Sequence, residues 1–553
     1  MAERKEHPKF FRSLRNYFRE YCRNTSIHGF RYFGENRTYF ERVWWFLVFG
    51  VTLAACVMSI REVYNKWLRS PVIVSFATKG TPIYTIPFPA VTICPTFKSV
   101  QAIYSHTNII KKLNHNVSLT EKERKILDYM GLICDSNKAI KHSDIDYFTD
   151  DFYETLKEVN RWEFEEGSLM QYGFSPQIKG DEFPFGSCTY LDVQYNPCVL
   201  FKPVITDEGI CYTFNMLDKR EIFKEVSWIP KEFYNARKPS IGTWTLEGGY
   251  SDEAGLFPYP KRAMFAGATS GLTVKLFMPK NNKDHSCKQG NQGFRVSLHL
   301  PSRIPRPSQD YFRVPLDQTV MAAINPEMTA TDSAVEKYSP SKRECYFPNE
   351  KKLRFFKLYT AKNCQLECQT NYTLRFCDCV NFFMPRENGT KMCGISKLGC
   401  MQKAYFSFRL GDNLRNKLGD RFQTNERAKK LLKRYKGCDC LPTCTDLTYN
   451  VVTSQSPWDV MESIKAERMN WSAEIENDDY YVSKLILFFK SSSFVTSERH
   501  ELYGPTDFLA NFGGLLGLFT GFSILSLMEA IYFLTVRLCC NSRAYGYWAG
   551  PEN

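Results

Sequence analysis

The chain has 553 residues, 43% of them apolar and 24% charged, with 72 Lys+Arg against 59 Asp+Glu and a formal net charge of +13. That length allows several domains, and the composition requires most of it to fold in water. The basic excess is spread without a long block, which fits a diffuse basic surface and argues against a nucleic-acid partner.

Residues 1–42 carry ten Lys/Arg and five Asp/Glu. The first long apolar run follows, Val43 to Ile60, eighteen residues without a charge. At about 1.5 Å per residue it reaches roughly 27 Å, close to the thickness of a bilayer core. A cleavable leader would start earlier and end at a small-residue site, so residues 43–60 are expected to be a retained span. Trp44 and Trp45 suit a lipid–water interface. The basic bias before the run places residues 1–42 in the cytoplasm, residues 61–505 outside, and a tail from 537 to 553 back in the cytoplasm.

Of the 20 cysteines, sixteen fall between Cys94 and Cys444. An even number at such density outside a membrane predicts a disulfide framework. Ten lie in residues 345–444, where C-x3-C at 364/368 is mirrored by C-x-C at 438/440. Zinc is the rival use of such spacing, but no paired histidines accompany it and the compartment is oxidising. Four sequons, at Asn116, Asn371, Asn388 and Asn470, are glycosylation candidates in the same region. Residues 105–170 read as mostly helical and 231–262 as loops. Gly293–Leu300 and Tyr480–Phe489 read as strands, and Lys351–Asn363 and Thr424–Lys436 as helices flanking the cysteine block. No HExxH, GxSxG or phosphate-binding glycine loop occurs, so no catalytic residue, cofactor or metal is expected.

The second apolar run, Phe508 to Val536, contains one acid, Glu529. Residues 506–536 are expected to cross the membrane. Gly513, Gly517 and Gly521 recur every four residues, a spacing that lets helix backbones approach closely. Ser523, Ser526 and Glu529 continue down roughly one face. A charge inside a membrane faces water or a partner. A plain helix pair would also satisfy these residues. A pore needs several copies, because one helix cannot enclose it. Gly521-Phe522-Ser523 is a candidate break that would turn backbone carbonyls toward a dehydrating ion.

The order of motifs resembles the degenerin/epithelial sodium channel/acid-sensing ion channel superfamily over nearly the whole chain. His28-Gly29 precedes the first span, and Phe88-Pro89-Ala90-Val91-Thr92-Ile93-Cys94 follows it. Next come Gly209-Ile210-Cys211-Tyr212-Thr213-Phe214-Asn215 and Cys438-Asp439-Cys440-Leu441-Pro442-Thr443-Cys444. The last is the run from Phe512 to Glu529. Cys345-Tyr-Phe-Pro, Phe355-Phe-Lys-Leu-Tyr-Thr and Asn371-Tyr-Thr-Leu look like the insect pickpocket branch.

The resemblance implies an α+β protein: two transmembrane helices and a large disulfide-rich mixed ectodomain of palm, finger, knuckle, β-ball and thumb. It implies the pore-forming subunit of a trimeric, amiloride-sensitive, sodium-selective channel in the plasma membrane, a homo- or heterotrimer with related subunits, gated through the ectodomain. An auxiliary, non-conducting subunit is the alternative; an ATP-gated channel and a membrane-anchored enzyme lack their own motifs here. Carried onto this sequence, the filter is Gly521, Phe522 and Ser523, and gating rests on His28, Gly29 and Ala510. Gly517 is the blocker position, and Glu529 is an acid at the inner mouth. The thumb cysteines should nest as Cys345–Cys444, Cys364–Cys440, Cys368–Cys438, Cys377–Cys400 and Cys379–Cys393. The resemblance adds Cys94–Cys211 and Cys188–Cys198, leaving the pairing of Cys134 and Cys287 open. Two departures stand out. Phe522 replaces the small residue usual at the filter's centre, and no PPxY motif occurs in the tail.

Overall fold

The computed structural model describes residues 10–134, 144–161, 184–195, 198, 200–231, 233–234, 243–255, 258–418, 437–467 and 479–549. Asn470 and the segment 424–436 lie outside them. The chain divides into two units, one formed by Met1–Val74, Asp332–Arg343 and Arg499–Asn553, the other by Ser75–Thr331 and Glu344–Glu498.

The second unit is the ectodomain. Its principal strands, in chain order, are β1 (Ala90–Pro95), β2 (Phe185–Tyr190), β3 (Val193–Tyr195), β4 (Lys202–Thr206), β5 (Gly209–Phe214), β6 (Leu272–Pro279), β7 (Phe294–His299), β8 (Phe312–Val314), β9 (Gln318–Thr331), β10 (Asp446–Pro457) and β11 (Tyr480–Phe489). One sheet runs β9-β11-β6-β2-β3, with β10 also paired to β9; the other runs β8-β7-β1-β5-β4. Every pairing is antiparallel except β9 with β11. Alternation decides which faces are dry. Leu272 and Val274 of β6 lie opposite Leu487 and Leu485 of β11, and all four are fully buried. They share a core with Val91 and Ile93 of β1, Phe214 of β5 and Phe294 and Val296 of β7.

A second core lies among helices and disulfides. The helix Glu121–Ile133 begins with a capping box, Thr120 and Glu123 satisfying each other's backbone N–H. With His106–Asn114 and Asp151–Val159 it buries Ile126, Met130, Phe152 and Leu156. The helix Ala361–Cys377 carries Cys364, Cys368 and Cys377. Five nested bridges close this block: Cys345–Cys444, Cys364–Cys440, Cys368–Cys438, Cys377–Cys400 and Cys379–Cys393. Cys94–Cys211, Cys188–Cys198 and Cys134–Cys287 complete a set of eight among the described residues. These sulfurs are therefore bonded to one another and not offered to zinc.

One helix expectation is corrected. Residues 351–360 run as bends and irregular chain, with Phe356 bridged to Phe223, and the helix starts only at Ala361. The backbone there is spent on tertiary bonds: the N–H groups of Arg354 and Phe355 donate to the Glu367 carboxylate, 2.9 Å each, and the Phe355 carbonyl accepts from Lys224 N–H at 2.9 Å. Thr360 then caps the helix, its hydroxyl accepting from Asn363 N–H at 3.1 Å.

The ectodomain also buries charge. Glu208 meets Arg295 at 2.6 Å, Lys288 at 3.5 Å and Lys98 at 3.6 Å. Burial alone would raise the Glu208 carboxyl, but Lys98, Lys288 and Arg295 together hold it below the usual range. Burial pushes Lys98 down to about 8, against the attraction of Glu208.

In the other unit, the helix Phe10–Asn24 precedes Tyr39–Arg69, which contains the first apolar run and extends past it at both ends. The second run forms two helices, Pro505–Thr520 and Ile524–Leu534, followed by Val536–Tyr545. Tyr39–Arg69 and Ile524–Tyr545 are each long and apolar enough to cross a bilayer. The rings of Trp67 and Phe508 lie 5.7 Å apart, linking the first span to the upper part of the second.

Candidate pore site

The second span breaks where its sequence demands. Gly521 sits at φ +67°, ψ 13°, the left-handed cap that ends a helix and that residues with a Cβ avoid. Ser523 restarts the chain: its Oγ accepts from Ser526 N–H at 3.2 Å, while Ser523 N–H donates to Ser526 Oγ at 3.1 Å. Ser523 is thus the cap of the lower helix and does not bond back to a preceding turn. That back-bond is made by Thr520, whose hydroxyl donates to the Leu516 carbonyl at 2.7 Å.

A helix that stops inside an apolar span leaves carbonyls without intrahelical donors. Two carbonyls at this break have donors. Gly521 N–H donates to the Gly517 carbonyl and His28 N–H to the Thr520 carbonyl, both at 2.9 Å. The N-terminal loop therefore lies against the break. Gly29, at φ +86°, makes the turn that allows it. The fit is close: a Cβ on Gly521 would fall 2.7 Å from the His28 imidazole.

One turn lower the same loop engages Ser526 and Glu529. The Ser26 and Ser526 hydroxyls are 2.7 Å apart. Ser26 N–H and its hydroxyl both donate to Glu529 Oε2, at 3.0 and 3.2 Å. Ser526 is fully buried, whereas Ser523 remains exposed. Glu529, expected to face the inner mouth, is held by two donors from the N-terminal loop. Ala510 is exposed, and a Cβ built on Gly513 or Gly517 meets nothing within 4 Å. This small-residue side of the upper helix is open to a neighbour.

His28, Gly29, Gly521, Ser523 and Glu529 thus come together, while Ala510 and Gly517 lie higher on the same span. Ser26 and Thr520 complete the arrangement and were not singled out in the sequence. Ser26 stands two residues before His28, yet nothing local marks its partners some 500 residues away.

The ectodomain has its own concave feature, a cleft of about 520 Å³ lined by Asp150, Glu154, Glu225, Trp228 and Lys231. Arg386 holds two of these residues, donating to Asp150 at 2.5 Å and stacking 4.1 Å over Trp228. Asn388, one of the exposed sequons, lies on its rim. Asn116 and Asn371 are exposed too.

Two apolar helical spans, the second broken at a glycine and buttressed by the N-terminal segment, together with an ectodomain held by disulfides, define a two-span membrane protein of channel type. The family model described as amiloride-sensitive sodium channel matches residues 21–533, and the chain belongs to that family. It is 28% identical to Pickpocket protein 28 of Drosophila melanogaster, over 95% of this chain and 79% of that protein. It is 25% identical to the sodium channel protein Nach of Drosophila ananassae, over 98% and 92%. Over half its length it is 24% identical to acid-sensing ion channel 4-B of Danio rerio, 45% of which is covered.

Proposed function

We propose that this chain is the pore-forming subunit of a trimeric, sodium-selective, amiloride-sensitive channel of the plasma membrane, with both termini in the cytoplasm and gating driven from the ectodomain. The observation that carries this reading is the broken second span at Gly521-Phe522-Ser523 with the His28 loop bonded beneath it. Three copies around an axis supply three sets of carbonyls and three Ser523 hydroxyls at short range, the ligands a partly dehydrated sodium ion needs. The open face at Ala510, Gly513 and Gly517 suits close approach of three upper helices. In this arrangement Ala510 is the closed gate and Gly517 the blocker position. Phe522 enters the ring through its backbone, with its side chain away from the ion path. Glu529 adds negative charge at the inner mouth while anchoring Ser26.

The test is current from cells expressing this chain, read as a reversal potential in mixed sodium and potassium with and without amiloride. Ser523→Ala and Gly521→Ala should each lower the sodium/potassium permeability ratio of whatever current persists. An unchanged ratio in both places the filter elsewhere. Current only on co-expression with related subunits, and with a permeability ratio indifferent to Ser523→Ala and Gly521→Ala, would make the chain an auxiliary component. Ala510→Val should raise constitutive current, because a larger side chain does not fit the closed packing.

A further inference from the structure

The N-terminal helix Phe10–Asn24 is two-sided. Its inner side buries Ser13 and Tyr17. The Tyr17 hydroxyl donates to the Phe533 carbonyl, and the rings of Tyr17 and Tyr21 lie 6.1 and 5.3 Å from that of Phe533. Glu20 pairs with Arg537 at 2.7 Å. These contacts fix the helix at the end of the second span, where the apolar run gives way to charge. Tyr39 and Phe40, 85% and 78% exposed, mark the matching end of the first span.

The outer side is left bare. Phe11, Leu14 and Phe18, spaced i, i+3, i+7, are 82%, 44% and 49% exposed. Arg12, Arg15 and Arg19 repeat the same spacing on the adjoining stripe, and none of the three is in an ion pair among the described residues. An apolar stripe beside a guanidinium stripe is the pattern of a helix that lies in a lipid interface.

We propose that this face docks on anionic phospholipid of the inner leaflet, with Phe11, Leu14 and Phe18 in the acyl boundary and Arg12, Arg15 and Arg19 on phosphate and carboxylate headgroups. The sidedness rests on the cytoplasmic N-terminus proposed above; the binding does not. Lipid is favoured over a second copy of the chain by charge. Two such faces meeting would set arginine against arginine, and Glu20, the helix's one acid, is already engaged by Arg537. Docking here would also hold the His28 loop, joined to this helix by only a few residues, against the broken span.

The experiment places p-benzoylphenylalanine at position 18 of the full chain, reconstituted in nanodiscs of phosphatidylcholine containing phosphatidylserine. Adducts are read by mass spectrometry after illumination. We expect lipid adducts enriched in phosphatidylserine over its share of the disc. Arg12→Gln, Arg15→Gln and Arg19→Gln should each reduce that preference about fivefold. Crosslinks between chains, no lipid adduct, or lipid adducts in proportion to the mixture and indifferent to the arginines would each overturn the proposal. Formation of the ectodomain disulfides checks that every variant has folded. Because the readout needs no current, a chain that binds lipid but does not conduct refutes the channel reading alone.

Discussion

The ectodomain and the membrane unit solve the same problem with different materials. The ectodomain has two buried cores, eight disulfides and a carboxylate among three cations. Among the described residues the membrane unit has no disulfide, and most of its apolar side chains stay exposed. Beside ring contacts such as Trp67–Phe508 and Tyr17–Phe533, its directed polar bonds gather at one level, where Ser26, His28, Thr520, Ser526 and Glu529 meet. A covalent framework tolerates loss of single contacts. A site held by a few hydrogen bonds at a helix break does not, and it can change state without unfolding anything.

The largest effect should come from Glu208→Gln in the ectodomain. It leaves three cations facing one another in the interior, and removing one partner of a buried ion pair costs about 3–5 kcal/mol. Loss of mature, surface-delivered protein is the expected readout. Normal delivery would mean that the cluster is better hydrated than its burial indicates.

In the membrane unit, Gly521→Ala should leave delivery intact and suppress current strongly. The backbone sits where a Cβ costs roughly 1–2 kcal/mol, before any clash with the His28 ring. Adding His28→Ala should restore part of the current, since it removes the clash but not the strain. No rescue would show that the ring is not what Gly521 accommodates. Gly29→Ser, at the positive-φ glycine of the His28 loop, should likewise cut current without changing delivery.

Ser26→Ala removes a hydroxyl from Glu529 and Ser526, and a hydrogen bond to a charged group contributes about 1.5–3 kcal/mol. A shift in open probability is expected, with reversal potential unchanged. A changed reversal potential instead would put Ser26 in the ion path.

The smallest effect is a pH dependence confined to the ectodomain. Burial pushes His299 down to about 4 and holds His106 below its ordinary 6.5. The unfolded chain gains these protons as pH falls through 6.5, whereas the folded ectodomain resists until about 4, so stability declines across that window. At pH 6 the loss from His299 is about 1 kcal/mol, read as a lowered ectodomain Tm. A flat profile between pH 6.5 and 4 would contradict neutral burial of these rings.

Much of the fold could be read from local pattern. Apolar run length marked both spans, partial alternation marked residues 293–300, β-branched and aromatic composition marked 480–489, and the cysteine spacing suggested a nested block. Residues 351–360 were misread because helix-forming composition was outweighed by backbone bonds to Glu367 and Lys224, partners that a window of residues cannot show. The run Gly521-Phe522-Ser523 pointed to a possible break. It did not point to Ser26, or to the capture of Glu529 by the opposite end of the chain, because no local rule links residues half a thousand apart.

That distance has a consequence for synthesis. The donors of Ser26 and His28 are made some 500 residues before their acceptors at Thr520 and Glu529. At about 5–20 residues per second, translation separates them by roughly half a minute to two minutes. Through that interval the N-terminal loop lacks these acceptors. A chain truncated anywhere before residue 520 carries a loop that stays unpaired, so premature termination is recorded at the opposite end of the protein.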